Sequence, residues 1–137
     1  MDASIVITTF RRPDMLALLL EALQPQLAGR AAEVIVVDNC PEASARAVAE
    51  PAGALQLRYV HERRSGVVHS RNRGVAEAQG RYVIFLDDDE VPHPGWLDAW
   101  LAQADGVTDM SFGRILPRPL SPCPPDIAGQ INRLFSR

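Results

Sequence analysis

Short runs of β-branched residues alternate along the chain with segments of helical periodicity. The runs predict strands over residues 4–9, 33–37, 55–60, 81–86 and 110–116. The segments between them predict helices over residues 13–27, 41–50, 68–79 and 94–103, with a short helix after Asp126. Strands that alternate with helices at this spacing pair in parallel through right-handed crossovers. The sequence therefore predicts an α/β fold, a three-layer α/β/α sandwich with a mainly parallel sheet.

Length and composition favour a packed chain of one domain. The 137 residues are 47% hydrophobic and 23% charged, and every basic residue is an arginine. The net charge of −3 disfavours nucleic-acid binding, which requires a basic face. Cys40 and Cys123 fit no metal or redox spacing, which favours two free thiols in a reducing cytosol.

The sequence also bears on cellular location. It starts without a secretory signal, and no apolar stretch approaches the roughly 20 residues of a membrane span. We therefore expect a cytoplasmic protein. Peripheral membrane association and homo-oligomerisation are left open.

A cluster of acids follows the apolar run at 82–86, which itself predicts a buried strand. Asp87, Asp88, Asp89 and Glu90 lie in the predicted exit turn of that strand. Two carboxylates about 4 Å apart repel by roughly 4 kcal/mol at an effective dielectric near 20. A divalent cation together with an anionic ligand would offset this repulsion. A solvated acidic turn is the alternative that this feature alone leaves open.

Polar segments lie at the carboxyl ends of three predicted strands. They are Phe10-Arg11, Asp38-Asn39 and Asp87-Asp88-Asp89. Ligands of such sheets bind beyond the carboxyl ends of the strands, so we expect these segments to form one site. The glycine patterns of a dinucleotide fold and a P-loop are absent from the sequence, as is a G-x-S-x-G nucleophile elbow, which disfavours those classes.

Four blocks of sequence, in order, resemble a known family. They are residues 4–13, residues 33–39, the segment Gly66-Val67-Val68-His69-Ser70-Arg71-Asn72-Arg73-Gly74 with its continuation to Tyr82, and Phe85-Leu86-Asp87-Asp88-Asp89. Together they resemble the family-2 glycosyltransferases of the GT-A fold, and the acidic triplet is similar to that family's D-x-D signature. The resemblance covers about residues 4–116 and implies the nucleotide-diphospho-sugar transferase type of sheet. We expect the family's C-terminal half to be missing from this chain.

The resemblance implies a role for each acid of the triplet. Asp89 would ligate a Mn²⁺ or Mg²⁺ ion that bridges the diphosphate of the sugar donor. Asp87, also assigned to the metal site, and Asp88 would face the ribose and the water molecules bound to the metal. Carboxylate oxygens suit such a cation, which would neutralise the leaving phosphates.

The resemblance also implies a nucleoside slot. Thr8, Phe10 and Arg11 would line it, with Phe10 against the base. Asp38 would accept a hydrogen bond from the base, typically from N3–H of uracil. Arg71 would reach the nucleotide from the central helix as a bidentate donor.

These residues also have structural alternatives. Asp38 could cap a turn, Phe10 could lie in the core, and Arg71 could pair with an acid on a solvated helix face. Other conspicuous side chains are predicted to be structural, core or solvated: His61, Arg63, Arg64, His69, Asn72, His93, Trp96, Trp100 and Asp126.

The predicted function is that of a glycosyltransferase or its donor-binding fragment. It would transfer sugar with inversion from a nucleoside-diphosphate sugar, with a UDP-sugar favoured, to an unknown saccharide or lipid-linked acceptor. The general base is not identified, because the family places it beyond the matching region. Residues 1–116 would form the nucleotide-sugar-binding domain, and residues 117–137 a Pro-rich extension with a short helix.

Two other functions are weighed against this one. A non-catalytic nucleotide-sugar-binding or assembly module would bind the donor without transferring the sugar, and the missing acceptor half favours it. A sugar nucleotidyltransferase is disfavoured, because Thr9-Phe10-Arg11-Arg12-Pro13 after the first strand lacks the glycines that such an enzyme needs.

Overall fold

Parallel strands and connecting helices alternate through the part of the chain that the structure describes. The computed structural model describes residues 1–51, 56–104, 106–107, 110–113 and 115–116. The elements are β1 (Ala3–Thr9), α1 (Pro13–Leu27), β2 (Ala32–Asp38), α2 (Arg46–Ala49), β3 (Leu57–His61), α3 (Val67–Glu77), β4 (Tyr82–Asp87) and α4 (Trp96–Ala102). The strands pair in parallel in the order β3-β2-β1-β4. The predicted alternation and the parallel sheet are confirmed.

The chain divides into two compact units, Met1–Ala104 and Asp105–Arg137, and every element named above lies in the first. The predicted extension over 117–137, with Cys123 and Asp126, lies outside the described residues. Within the described ranges, no helix has the length and apolar character needed to cross a membrane.

Helices cover both faces of the sheet. On one face, α1, α2 and α4 pack over the larger core, and α1 buries leucines that recur at helical spacing. These leucines are Leu16, Leu19, Leu20 and Leu23. On the other face, α3 covers a smaller core formed by Val6, Ile35, Val37 and Val60. The three-layer α/β/α arrangement is therefore confirmed, and Trp96 and Trp100 pack against the larger core as predicted.

α3 lies very close to β1, and a glycine makes this approach possible. Ser70 and Gly74 are the buried residues of α3. A Cβ added at Gly74 would fall well within 3.0 Å of Cγ1 of Val6, and 3.3 Å from both Cβ and Cγ2. The missing side chain of Gly74 thus sets the depth of α3 against the sheet, and with it the position of Arg71 one turn earlier.

Two predicted elements differ from the structure. The helix predicted over 41–50 shrinks to Arg46–Ala49, because Ala43 takes a left-handed φ of 52° that interrupts helical geometry. The strand predicted over 110–116 is wrong for 110–113 and 115–116, which carry no strand. Phe112 there is 88% exposed.

Two predicted details near β4 also change. β4 is buried on one face only: Val83 and Phe85 are exposed, because the helix on that side of the sheet, α3, packs mainly on β1 and β2. Gly80, which directly follows the helix predicted over 68–79 and so has the sequence position of a C-terminal cap, does not cap α3, whose C-cap is Ala78. A Cβ at Gly80 would lie 2.5 Å from the backbone nitrogen of Ser4, so this glycine instead lets the chain pass β1 closely.

Candidate functional site

The four strands end together at one edge of the sheet. Thr9, Asp38, His61 and Asp87 are the last residues of β1, β2, β3 and β4. The strand register places Thr9 beside Asp38 and Asp38 beside His61. We call these residues and the loops that follow them the carboxyl edge. The predicted convergence of three polar segments at one edge is confirmed.

Arg12 neutralises two of the acids in the turn after β4. Its Nη1 donates to Oδ1 of Asp88 at 3.1 Å and to Oδ2 of Asp89 at 2.9 Å. The charges of Asp88 and then of Asp89 raise the pKa of Arg12 above its ordinary value. Asp88 is only 5% exposed, and its Oδ2 accepts a hydrogen bond from Oγ1 of Thr9 at 2.8 Å. Both oxygens of the buried Asp88 are therefore bonded.

The other two acids of the turn also have partners. Nη2 of Arg71, on α3, donates to Oδ1 of Asp87 at 3.2 Å. The guanidinium of Arg71 lies 5.7 Å from the ring centroid of Phe85, within cation–π range. Glu90 accepts the backbone N–H of Asp87 at 3.1 Å, and burial raises the pKa of Glu90. The turn is thus held by two arginines and a backbone donor, so it is not merely a solvated acidic turn.

Asp38 is fully buried at the end of β2. Its Oδ1 accepts the backbone N–H of Cys40 at 2.9 Å, and its Oδ2 accepts the backbone N–H of Ala45 at 2.8 Å and the hydroxyl of Tyr59 at 3.0 Å. Burial and the hydrogen bond to Asp38 raise the pKa of Tyr59 to about 12. The turn-capping alternative is therefore the role observed. For Asp38 to accept a hydrogen bond from a base, these contacts would have to break, because Asp38 has no exposed surface.

Asn39 ties the loop after β3 to the end of β2. Its Nδ2 donates to the carbonyl oxygens of Glu62 and Arg64, each at 2.7 Å, and its Oδ1 accepts the backbone N–H of Gly66 at 2.9 Å. Arg64 bonds the Glu62 carboxylate through its side chain and its backbone N–H and holds the pKa of Glu62 at about 2. This loop leads into α3, so Asn39 helps to fix the start of the helix that carries Arg71.

The loop after β1 presents an aromatic ring to solvent. Phe10 is 50% exposed, so the alternative that places it in the core is wrong. Arg11 has a φ of 55°, lies 5.2 Å from the Phe10 ring centroid and pairs with Glu42 at 3.1 Å. Glu42 also accepts a hydrogen bond from the thiol of Cys40 at 2.8 Å, which lowers the pKa of Glu42. Thr8, half-buried, pairs in register with Val37 and Asp87 and faces the α3 layer.

The acids of the turn suit a hard divalent cation. The side chains of Asp87 and Asp89 are 52% and 50% exposed. One nitrogen of Arg12 already lies between Asp88 and Asp89, in a position that favours positive charge. Across the ranges that the structure describes, no set of three or more His, Cys, Asp or Glu side chains is arranged to hold an ion alone. A divalent cation held by the acids of this turn would therefore need further oxygen ligands, such as water.

Most of the predicted site residues meet at the carboxyl edge, but the sequence pattern did not single out Thr9 and Arg12. These two residues hold Asp88, whereas Asn39, which belongs to one of the three predicted polar segments, positions the loop before α3. Thr9 and Arg12 share only the signal of a polar residue at or shortly after a strand end, which is too general to select them. The histidines agree with the prediction of structural or exposed roles, since His61 bonds the carbonyl oxygen of Cys40 at 2.8 Å and the other two are exposed.

Comparison with known proteins places the chain in a family. The model of the family described as glycosyl transferase family 2 matches residues 4–121. The chain is 33% identical over 103 residues to a hyaluronan synthase of Pasteurella multocida, covering 73% of this chain and 11% of that protein. It is 36% identical over 102 residues to the succinoglycan biosynthesis protein ExoM of Rhizobium meliloti, covering 72% of this chain and 33% of that protein.

A solved structure agrees with these sequence matches. The mannosyltransferase PcManGT from Pyrobaculum calidifontis, in complex with GDP-Man and Mn²⁺, superposes with a TM-score of 0.65 at 27% identity. The superposition covers 75% of this chain and 32% of that one. The chain thus spans about a third or less of the length of these proteins. It has the GT-A fold and belongs to glycosyl transferase family 2.

Proposed function

We propose that the carboxyl edge binds the nucleoside-diphosphate sugar of a glycosyltransferase together with a divalent cation. The observation that carries this proposal is the pair Asp88 and Asp89, which share one cationic position in the turn after β4. Family membership supports it. A further support is the neighbour PcManGT, which was crystallised with a nucleotide sugar and Mn²⁺.

The three aspartates take different parts in this proposal. Asp89 and Asp87, both half exposed, are placed to ligate Mn²⁺ or Mg²⁺ directly. Asp88 is buried and fixed by Thr9 through Oδ2, so it contributes negative charge, and its Oδ1 is the oxygen that would face the cation beside Asp89. When bound, the cation would neutralise the charge that develops on the departing diphosphate.

The nucleoside would lie on the loops after β1 and β2. The exposed ring of Phe10 offers a stacking surface for a base, with Arg11 and Thr8 beside it. Arg71 would exchange its contact with Asp87 for a bidentate contact with the nucleotide. Asp38 would act mainly by holding the loop from Cys40 to Ala45 in shape, and its predicted hydrogen bond to uracil would require that loop to open.

The reaction we propose is sugar transfer with inversion, which the sequence resemblance implies. The donor is a nucleoside-diphosphate sugar, with UDP favoured by the sequence resemblance and GDP exemplified by the structural neighbour. A carboxylate base would deprotonate a saccharide or lipid-linked acceptor, and that base is not assigned here. Residues 1–116 would serve as the donor-binding domain in the cytoplasm.

Calorimetric titration of UDP and of GDP, with and without Mn²⁺, tests the proposal. We expect one nucleotide to bind only when Mn²⁺ is present, and Asp89→Ala to weaken that binding at least about tenfold. Asp98→Ala is a matched control, because Asp98 is a similarly exposed acid that pairs with Arg30 on another part of the surface. Equal metal-dependent affinity in the Asp89→Ala variant would overturn the assignment of the site.

A further inference from the structure

Arg12 occupies the position that a cation bridging two carboxylates would take. A single nitrogen, Nη1, donates to both Asp88 and Asp89, at 3.1 Å and 2.9 Å. Arg71 does not bridge in this way, since Asp87 is the one carboxylate that its side chain pairs with among the described residues. The charge of Arg12 therefore does part of the work that a metal ion would do between these two acids.

The backbone at Arg12 is fixed, whereas its side chain is free to move. Arg12 is the N-cap of α1 and directly precedes Pro13, and its carbonyl oxygen accepts the backbone N–H of Leu16 at 3.1 Å. Its side chain is 53% exposed. The long, flexible side chain can thus swing away from the acids without disturbing α1.

Two cations cannot share this position. Asp88 is buried, and its other oxygen is bonded to Thr9, so Oδ1 is the oxygen that a cation would approach. Nη1 of Arg12 lies against that same oxygen. A divalent ion placed between Asp88 and Asp89 would therefore meet the positive guanidinium at close range, where like charges repel strongly.

We propose that Arg12 is a built-in counter-cation that holds Asp88 and Asp89 until a divalent metal displaces it. Arg12 thereby sets the metal concentration at which the site fills, and it prevents the two acids from repelling each other while the site is free. This inference rests on the proposed function, because it assumes that the metal enters at these aspartates.

The test compares the affinity of Mn²⁺ alone for the wild type and three variants, measured from the free Mn²⁺ signal in electron paramagnetic resonance. Arg12→Gln should bind Mn²⁺ about tenfold more tightly, since two partly exposed ion pairs no longer compete. Arg12→Lys keeps a positive charge and should stay within about threefold of wild type. Arg30→Gln removes an arginine from an exposed pair with Asp98 and should leave the affinity unchanged.

The outcomes separate this inference from the proposed function. If the wild type binds Mn²⁺ and Arg12→Gln binds it equally or more weakly, the counter-cation role is overturned and Arg12 has a purely structural role. The proposed function would survive that result. Absence of Mn²⁺ binding in all four proteins, even with UDP or GDP present, would overturn both proposals.

A second measurement needs no variant. Titration of the wild type with Mg²⁺ should shift the side-chain Nε–H signal of Arg12 in the NMR spectrum as the guanidinium leaves the carboxylates. The signal of Arg30 should stay in place. An unmoved Arg12 signal at Mg²⁺ concentrations that shift the backbone signals of Asp88 and Asp89 would contradict displacement.

Discussion

Replacing Gly74 with alanine should destabilise the domain, although the same change usually stabilises a helix. Gly74 is buried on α3 against Val6 of β1. The added Cβ would overlap Cγ1 of Val6 and would lie only 3.3 Å from Cβ and Cγ2. Val6 is short, β-branched and fully buried, so its side chain cannot turn aside. The strain must therefore be relieved by moving α3 away from the sheet.

Two opposing terms set the size of this effect. Overpacking of this kind costs about 1–3 kcal/mol. The better helix propensity of alanine offsets about 1 kcal/mol of that cost. We therefore expect a loss of about 1 kcal/mol in the free energy of unfolding, or roughly 4–8 °C in melting temperature for a domain of this size. The displaced helix would also carry Arg71 away from Asp87.

A double-mutant cycle with Val6→Ala separates these terms. Val6→Ala alone should cost about 1–3 kcal/mol for two buried methyl groups. In that background the Gly74→Ala change should become neutral or stabilising, which gives a coupling of about 1–2 kcal/mol. Urea unfolding followed by circular dichroism measures all four proteins. A Gly74→Ala variant more stable than wild type, or a coupling near zero, would refute the packing argument.

Three further predictions concern groups that shape the carboxyl edge or support the sheet. Asp38→Ala should lower the free energy of unfolding by about 2–4 kcal/mol, because the buried donors that bond Asp38 would lose their acceptor. Asp38→Asn should lower it less, and urea unfolding of both variants measures the difference. In a Tyr82→Phe variant, where Tyr59 is the remaining tyrosine, tyrosinate absorbance should show Tyr59 ionising near pH 12. Because the folded-state pKa of Tyr59 lies above the unfolded value of 10.0, its contribution to the free energy of unfolding should be lost as pH rises from 10.0 to about 12. Gly80→Ala should cost more than Gly74→Ala in the same unfolding assay, because its Cβ would meet the backbone of β1.

The parts of the fold that local pattern controls could be predicted. α1 begins at Pro13 and ends at Leu27 as its periodicity indicates, and Gly29 follows with a left-handed φ of 72°. Strand ends could be placed because β-branched runs stop at polar residues. In a parallel sheet the carboxyl ends of the strands lie at one edge. The convergence of the acids could therefore be predicted from the topology.

Features that depend on neighbours distant in sequence could not be predicted. The partners of Asp38 depend on the path of the Cys40–Ala45 loop and on Tyr59 from the next strand. In the sequence, Gly80 has the position of a residue that ends a helix. Its role, which is to let the chain pass close to β1, depends on a contact with residues far away in sequence. The partners of the Arg12 side chain depend on the distance between α1 and the turn after β4. Because the side chain is long and could reach several acids, the sequence does not indicate which ones it contacts.

The location of the metal tests the central claim most directly. Mn²⁺ added together with UDP or GDP broadens the NMR signals of nearby nuclei, so the affected amides map the site. We expect strong broadening at Thr9, Asp88 and Asp89 and much weaker broadening at Ala3 and Ala32, which lie at the other end of seven-residue strands, about 20 Å away. Broadening centred on Ala3 and Ala32, or spread evenly over the domain, would contradict a donor site at the carboxyl edge.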